Sequence, residues 1–236
     1  IERVNSGTYE GLYLIKQDSK YIEQTSNYDV RVTETLSSSC YWSLMAAPKQ
    51  YAELFGHYYP IGDAFFNTNR NYTYFRTVFN SYDYATSWSY TNNTPTAAYN
   101  CMTQRDDVFV FAGHGDIGAI TFFNDEGENR GCIAISSSFA GNEDLGADKK
   151  YISMIEYNGL SHARAVIYLG CETGSRDSSY NIVDKTFEKG AHFVLGIKEI
   201  VCDDDMDKWL KAFLDAIAAG NNIYDAIEYT KQKVKN

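Results

Sequence analysis

Two segments of the chain place a chemically reactive residue directly after an apolar run. The run Asp107–Ala112 is followed by His114, and the run Arg164–Leu169 is followed by Cys171. A free thiol is only slightly ionised at neutral pH, and a nearby imidazole can take its proton or protonate a leaving group. The two segments therefore predict Cys171 as a nucleophile and His114 as its acid–base partner.

The two apolar runs also predict how these residues come together. Neither run alternates with polar residues, which is typical of a strand that is covered on both faces. The 57 residues from His114 to Cys171 leave room for one crossover between neighbouring strands. Because parallel sheets form their sites at the carboxyl ends of the strands, adjacent strands would turn the imidazole and the thiol toward one crevice.

Glycines flank both reactive residues, at positions 113, 115 and 170. They allow the main chain to come close to a substrate. We predict that the backbone N–H groups of Gly115 and Cys171 form an oxyanion hole.

Other interpretations of the same residues remain open. Taken alone, Cys171 also fits a small core residue, and His114 also fits a turn. Residues 113–118 match G-x-G-x-x-G, but the β-branched and aromatic residues that follow predict a strand, which disfavours dinucleotide binding. The run Asp203–Asp205 lacks the spacing of an EF-hand loop and fits the start of a helix. The chain contains no G-x-S-x-G, and His114 precedes Cys171, so a serine hydrolase of the α/β type fits poorly.

Buried strands alternate with helical patterns after residue 40, which predicts an α/β domain with a mostly parallel sheet. The first 40 residues contain short β-prone runs separated by polar turns, which predicts a small antiparallel meander. We therefore predict an N-terminal β-strand segment over 1–40 and the α/β domain over 41–236. Helices are predicted over 63–80, from Thr94–Pro95 onward, and over 149–158, 179–189, 203–219 and 223–234. Strands are predicted over 41–45, 85–90, 107–112, 164–169 and 192–197, with a hairpin of 119–123 and 131–135.

Composition excludes several function classes. The 236 residues carry a net charge of −10 without a Lys/Arg cluster, which argues against a nucleic-acid surface. No apolar run reaches the length of a membrane span.

The five cysteines contain no C-x-x-C pair, so a zinc ribbon or a thioredoxin-type motif is not expected, and the pairing of the cysteines stays open. The richness in Tyr, Asn, Ser and Thr is typical of an extracellular or cell-surface bacterial protein, with a cytoplasmic location as the alternative.

The apolar strand that ends in His114-Gly115, followed by the strand that ends in Leu169–Gly174 (LGCETG), resembles the caspase-like (clan CD) cysteine peptidases. Residues 80–236 are similar to the CHAT branch in particular. The resemblance implies a three-layer α/β/α sandwich in which Cys171 attacks a peptide bond through an acyl-enzyme. It also implies His114 as the catalytic imidazole, no metal or organic cofactor, and a protein or peptide as substrate.

The resemblance defines the substrate preference less well than it defines the catalytic residues. Some relatives carry an acid two residues before the nucleophile, where this chain has Leu169, so their specificity does not transfer. Asp116, Glu172 and Asp203 are candidate substrate-binding residues for a basic P1 side chain, with a solvated acidic rim as the alternative. Maturation by self-cleavage is a further expectation.

Two functions from other classes stay open. The first is a catalytically silent caspase-like module that binds a protein or peptide partner through the same crevice. The second is a binding protein whose N-terminal strands, in a chain with 20 Tyr, contact a peptide or glycan. The sequence leaves the oligomeric state open.

Overall fold

The computed structural model divides the chain into two compact units, Ile1–Pro48 and Lys49–Asn236. The division lies after Pro48, whereas the sequence pattern places a boundary after residue 40. The structure describes residues 2–3, 13–14, 16–17, 20–24, 30–37, 40–42, 50–56, 68–86, 93–123, 127–139, 146–176 and 180–234.

The first unit contains two small antiparallel sheets, where the β-prone runs predict a single meander. One sheet has the strand order β1-β2-β6 and the other the order β3-β4-β5, which is a meander. Tyr41–Trp42 pairs with Tyr13–Leu14 and so belongs to this unit rather than to the α/β domain. The strands are β1 Glu2–Arg3, β2 Tyr13–Leu14, β3 Lys16–Gln17, β4 Lys20–Gln24, β5 Val30–Thr33 and β6 Tyr41–Trp42.

The second unit is built on a four-stranded parallel sheet, which confirms the predicted fold class. Its strand order is β14-β13-β8-β7, and every neighbouring pair is parallel. All residues of the three longer strands are buried, as the unbroken apolar runs predict. The strand β7 was not predicted from the sequence. The bounds are β7 Ala52–Gly56, β8 Val108–Ala112, β13 Ala165–Leu169 and β14 Val194–Gly196.

Helices cover both faces of this sheet and give three α/β/α layers. Alternate strand residues point to opposite faces. Val110 and Ile167 pack in one cluster with α1, α4 and α5, whereas Phe109 and Val166 pack in another with α2 and α3. Each large apolar side chain buried in this way stabilises the fold by about 1.5–3 kcal/mol. The helices are α1 Thr68–Asn80, α2 Pro95–Gln104, α3 Ile182–Glu188, α4 Asp203–Ala218 and α5 Ile223–Val234.

The helix boundaries follow local capping chemistry. The Thr94 side chain accepts the Ala97 N–H at 3.1 Å, and Pro95 occupies the first position of α2, as predicted. The helix α3 begins at Ile182, later than predicted, because the Asn181 side chain accepts the Asp184 N–H and starts the helix there. Beyond α4 lies Gly220, whose φ of +91° is readily adopted only by glycine.

A second sheet packs with α2 and corrects one prediction. Its order is β12-β11-β10-β9, and β10 and β11 pair antiparallel as the predicted hairpin. The predicted helix over 149–158 is wrong, because this segment pairs in parallel with β11 and continues into a 3₁₀ turn, Ile152–Met154. The strands are β9 Gly115–Asp116, β10 Ala119–Phe123, β11 Asn129–Ala134 and β12 Asp148–Tyr151.

Tertiary contacts explain why Asp148–Tyr151 forms a strand and not a helix. The Asp148 carboxylate accepts hydrogen bonds from the Thr96 N–H and hydroxyl, which ties β12 to the start of α2. A Cβ at Gly131 would lie 1.8 Å from the Asp148 carbonyl oxygen, so only glycine admits this close strand contact. The helical propensity of residues 149–158 is therefore overridden, because pairing with β11 holds Asp148–Tyr151 as a strand.

Some predicted features lie outside the described residues. They are the hairpin turn at 124–126, most of the predicted strand 85–90, the end of the predicted strand at 43–45, and the starts of the predicted helices at 63–67 and 179. Within the part of the chain that the structure describes, no helix combines the length and apolarity needed to cross a membrane.

A buried acidic pair lies at the amino end of β8, away from the strand ends that carry His114 and Cys171. Asp106 is fully buried, and Glu53 is 1% exposed. Arg105 bridges them, with a 2.9 Å ion pair to Glu53 and a 3.5 Å contact between its Nε and the Asp106 carboxylate. Within the described residues, neither Asp106 oxygen has a hydrogen-bond partner. Burial and then the Glu53 charge raise the pKa of Asp106 to about 8.

This raised pKa predicts a pH-dependent stability. The folded state holds the Asp106 proton up to about pH 8, whereas the unfolded chain releases it near its ordinary pKa of 3.8. The favourable contribution is therefore complete below that lower value and is lost as pH rises, by up to about 1.4 kcal/mol per pH unit. We expect Asp106→Asn to gain stability relative to the native chain between pH 5 and pH 8, measured by urea unfolding.

The matched control for this experiment is Asp83→Asn. It removes the same charge at an exposed turn residue with φ of +62°, a conformation that Asn also adopts. If Asp106→Asn and the native chain show parallel pH profiles, the assignment of the raised pKa is wrong.

Candidate functional site

The two strands that carry the candidate catalytic residues are neighbours in the sheet. The strands β8 and β13 pair in parallel, with Ala112 opposite Leu169. The Gly113 N–H donates to the Leu169 carbonyl at 3.0 Å, which extends the ladder by one step. His114 and Cys171 each lie two residues beyond their strand, so both leave the same edge of the sheet from equivalent positions.

The backbones of the two loops touch each other. A Cβ at Gly170 would lie 3.1 Å from the Gly113 carbonyl oxygen and 3.2 Å from the Gly115 Cα. A Cβ at Gly115 would lie 2.7 Å from the Thr173 methyl carbon. A side chain at Gly115 would force a shift of its neighbours and one at Gly170 would press on the facing backbone, so glycine favours this close approach. The contact places Gly115 beside Gly170, which is the residue before Cys171. The role of Gly115 and Cys171 as oxyanion donors stays a prediction.

His114 sits on a short β-structure that holds its loop in place. Its side chain is exposed, and its ring meets the Phe123 ring edge-on at a centroid distance of 5.3 Å. The His114 carbonyl accepts the Thr121 N–H at 2.9 Å, while the next two residues pair with β10. The imidazole is thus accessible to solvent on a backbone that is fixed by strand pairing.

The Cys171 thiol is half-buried against the segment that follows β14. Its Sγ lies 3.5 Å from the Val201 carbonyl oxygen and 3.5 Å from the Val201 nitrogen. The thiol can donate to the carbonyl, and the sulfur can accept the N–H. The Val201 backbone thus makes polar contacts to the sulfur through both its carbonyl and its N–H group.

Thr173 anchors the loop that carries Cys171. Its side chain is fully buried, and its hydroxyl lies 3.1 Å from the Tyr168 carbonyl and 2.9 Å from the Gly170 carbonyl. The same oxygen accepts the Ile197 N–H at 3.1 Å. The hydroxyl therefore connects the end of β13 to the end of β14, on either side of Cys171.

The turn after Cys171 contains a residue in an unusual conformation. Glu172 has φ of +58°, which is uncommon for a residue other than glycine. Its N–H donates to the Glu199 carbonyl at 3.3 Å, and the Gly174 N–H donates to the Ile197 carbonyl at 2.8 Å. These bonds lay the Cys171 loop alongside residues 197–201.

The three candidate substrate-binding acids have different surroundings. The Asp116 carboxylate accepts the N–H groups of Gly118 and Ala119 at 2.7 and 2.9 Å, so it closes the turn between β9 and β10. Glu172 is half-buried next to Cys171. Asp203 begins α4, as the acidic run predicts, but its side chain lies outside the described residues. A substrate role for each of these residues stays a prediction.

Sequence reasoning missed the residues that frame the thiol. Val201 carries no chemical signature, because it contacts Cys171 through its backbone. Thr173 enters the sequence prediction only as part of the LGCETG motif, although a hydroxyl two residues after the predicted nucleophile is a detectable signal. Phe123, which contacts His114, was predicted only as a strand residue.

A separate cavity of about 550 Å³ opens at the amino ends of β13 and β14. It lies at the edge of the sheet opposite to Cys171, since that residue follows the carboxyl end of β13. The cavity is lined by aromatic and cationic residues that include Phe79, Tyr82, Tyr84, Arg164, Phe193 and Tyr224.

Across the described ranges, no group of three or more His, Cys, Asp or Glu side chains is arranged to hold a metal ion.

The chain matches no protein-family model, and no curated protein is significantly similar to it.

The Thr173 network predicts a measurable effect on stability. In Thr173→Val the part-buried Ile197 N–H loses its acceptor, and an unsatisfied donor costs up to about 1–3 kcal/mol when it is fully buried. We expect a lower urea midpoint for Thr173→Val, with Thr173→Ser retaining most of the native stability because it keeps the hydroxyl. Equal midpoints for the Val and Ser variants would show that the hydroxyl does not anchor the loop.

Proposed function

We propose that this protein is a caspase-like cysteine peptidase in which Cys171 and His114 form a catalytic dyad. The observation that supports the proposal is the in-register pairing of β8 with β13. Because of it, the imidazole and the thiol occupy equivalent positions on two adjacent loops. The contact between Gly115 and Gly170 brings these two loops together. The resemblance of the Cys171 segment to the CHAT branch points to the same chemistry.

The reaction then follows from the chemistry of the two side chains. His114 accepts the Cys171 proton, and the thiolate attacks the carbonyl carbon of a peptide bond. The N–H groups of Gly115 and Cys171 stabilise the negative oxygen of the tetrahedral intermediate. His114 donates its proton to the leaving amine, which leaves a thioester on Cys171. A water molecule that transfers a proton to His114 hydrolyses this thioester and restores the thiol.

The accessible surroundings of the dyad support a peptide as substrate. His114 is exposed and Cys171 is half-buried, so a polymer chain can reach both without opening the core. Glu172 follows Cys171 directly and its N–H donates to the Glu199 carbonyl, so two acidic residues belong to the adjoining segments, and the chain carries a net charge of −10. We therefore expect faster cleavage after Lys or Arg than after acidic residues. Self-cleavage and an extracellular or cell-surface location belong to the same proposal.

Substitution of the dyad tests the proposal directly. With a fluorogenic peptide library as substrate, Cys171→Ala is expected to reduce cleavage to background. His114→Ala is expected to lower kcat/KM by about 10²–10⁴-fold, because general acid–base catalysis is lost. Cys101→Ser serves as the matched control, since Cys101 lies on α2 beside Arg105 and away from the dyad.

An acyl-type thiol probe gives a second measurement that needs no knowledge of the natural substrate. Labelling is expected at Cys171 in the native chain and is expected to be slower in His114→Ala. Cleavage that persists in Cys171→Ala would contradict the proposal. A folded chain that neither cleaves peptides nor reacts with the probe would instead be a catalytically silent module.

A further inference from the structure

A second thiol lies one residue from the backbone group that contacts Cys171. The Val201 carbonyl oxygen is 3.5 Å from the Cys171 Sγ, and Cys202 is the next residue. In a trans peptide the following Cα lies about 2.8 Å from the carbonyl oxygen, so the Cys202 Cα lies within about 6.3 Å of that sulfur. The two cysteines are therefore neighbours in space although they are distant in sequence.

The surrounding hydrogen bonds keep the two segments side by side. The Glu172 N–H donates to the Glu199 carbonyl, and the Gly174 N–H donates to the Ile197 carbonyl. The Val201 N–H contacts the Cys171 sulfur itself at 3.5 Å. This arrangement directs residues 197–202 past the thiol and holds Cys202 close to it.

The Cys202 side chain lies at the surface, where its rotamer can change. It is exposed, and so are Lys198, Glu199 and Ile200 in the segment before it. Its thiol donates to the Asp205 carboxylate at 3.1 Å, a bond on the protein surface where water competes. A cysteine sulfur lies about 2.8 Å from its own Cα, so rotation about χ1 can bring the two sulfurs to about 4 Å. A shift of about 2 Å in the exposed segment then reaches bonding distance.

We infer that Cys171 and Cys202 form a reversible disulfide when the protein meets a peroxide. In the first step hydrogen peroxide oxidises one thiol to a sulfenic acid, its O–O bond breaks and one water is released. In the second step the other thiolate attacks the sulfenic sulfur, the S–S bond forms and hydroxide leaves to become the second water. Two thiols and one peroxide thus give one disulfide and two waters, and a dithiol reductant reverses the change.

This disulfide regulates the candidate dyad, and its effect on activity rests on the proposed function. A sulfur in a disulfide has no proton to transfer and no lone nucleophilic thiolate, so the peptidase is switched off. The linkage also protects Cys171 from further oxidation, because a sulfinic acid is not restored by ordinary thiols. Cys202 therefore acts as a resolving cysteine for the nucleophile.

Peptide mapping of the full chain tests the linkage without any activity assay. Trypsin releases Cys171 alone on residues 165–176 and Cys202 alone on residues 199–208. After treatment of the reduced protein with hydrogen peroxide and blocking of free thiols, we expect these two peptides to appear as one linked species by mass spectrometry. The species is expected to disappear with dithiothreitol and to be absent in Cys202→Ser, whereas Cys101→Ser retains it.

Activity measurements separate this inference from the proposed peptidase. Peroxide is expected to abolish peptide cleavage reversibly in the native chain and irreversibly in Cys202→Ser. If the linked peptide forms but no sample cleaves peptides, the disulfide stands and the peptidase proposal fails. If cleavage depends on Cys171 but peroxide yields no linked peptide, or links Cys171 to another cysteine, the disulfide inference is overturned.

Discussion

The parallel pairing of β8 with β13 is the interaction on which the rest of the site depends. Five consecutive residue pairs, from Val108 with Ala165 to Ala112 with Leu169, fix the register of the two strands. A slip of one residue would exchange the faces of every side chain and would place His114 and Cys171 at unequal heights above the sheet edge. The relative positions of His114 and Cys171 at the sheet edge therefore follow from the register of the two buried strands.

Packing on both faces enforces this register. The side chains of Val110 and Ile167 are covered by α1, α4 and α5, and those of Phe109 and Val166 are covered on the other face. Because alternate residues meet two different surroundings, a shift of one residue would move each side chain into the cluster on the opposite face, where the neighbouring helices differ. Thr173 and the loop glycines then transmit this fixed register to the few residues that lie beyond the strands.

The elements that could be predicted from the sequence are those whose signal is local. The two unbroken apolar runs, the Thr94–Pro95 start and the amphipathic face of α4 all identify their elements directly. The strand β7 and the strand at Asp148–Tyr151 depend on partners that are distant in the chain, so local patterns did not reveal them. For the candidate site, the placement of His114 and Cys171 after two neighbouring strands could be predicted from the two apolar runs, and their reactivity stays a prediction. The contacts of Val201 could not, because they are made by a backbone that every residue possesses.

The spacing of the two paired strands also concerns how the molecule forms. Contacts between residues so far apart in sequence close large loops, and folds dominated by such contacts assemble slowly. Until β13 emerges and docks beside β8, the imidazole and the thiol are separated by 57 residues of chain. A growing or unfolded polypeptide consequently carries both reactive groups without the arrangement that couples them. The docking of β13 beside β8 and the meeting of the two loops are therefore one event, so any chemistry that needs both side chains begins only when this parallel pairing has formed.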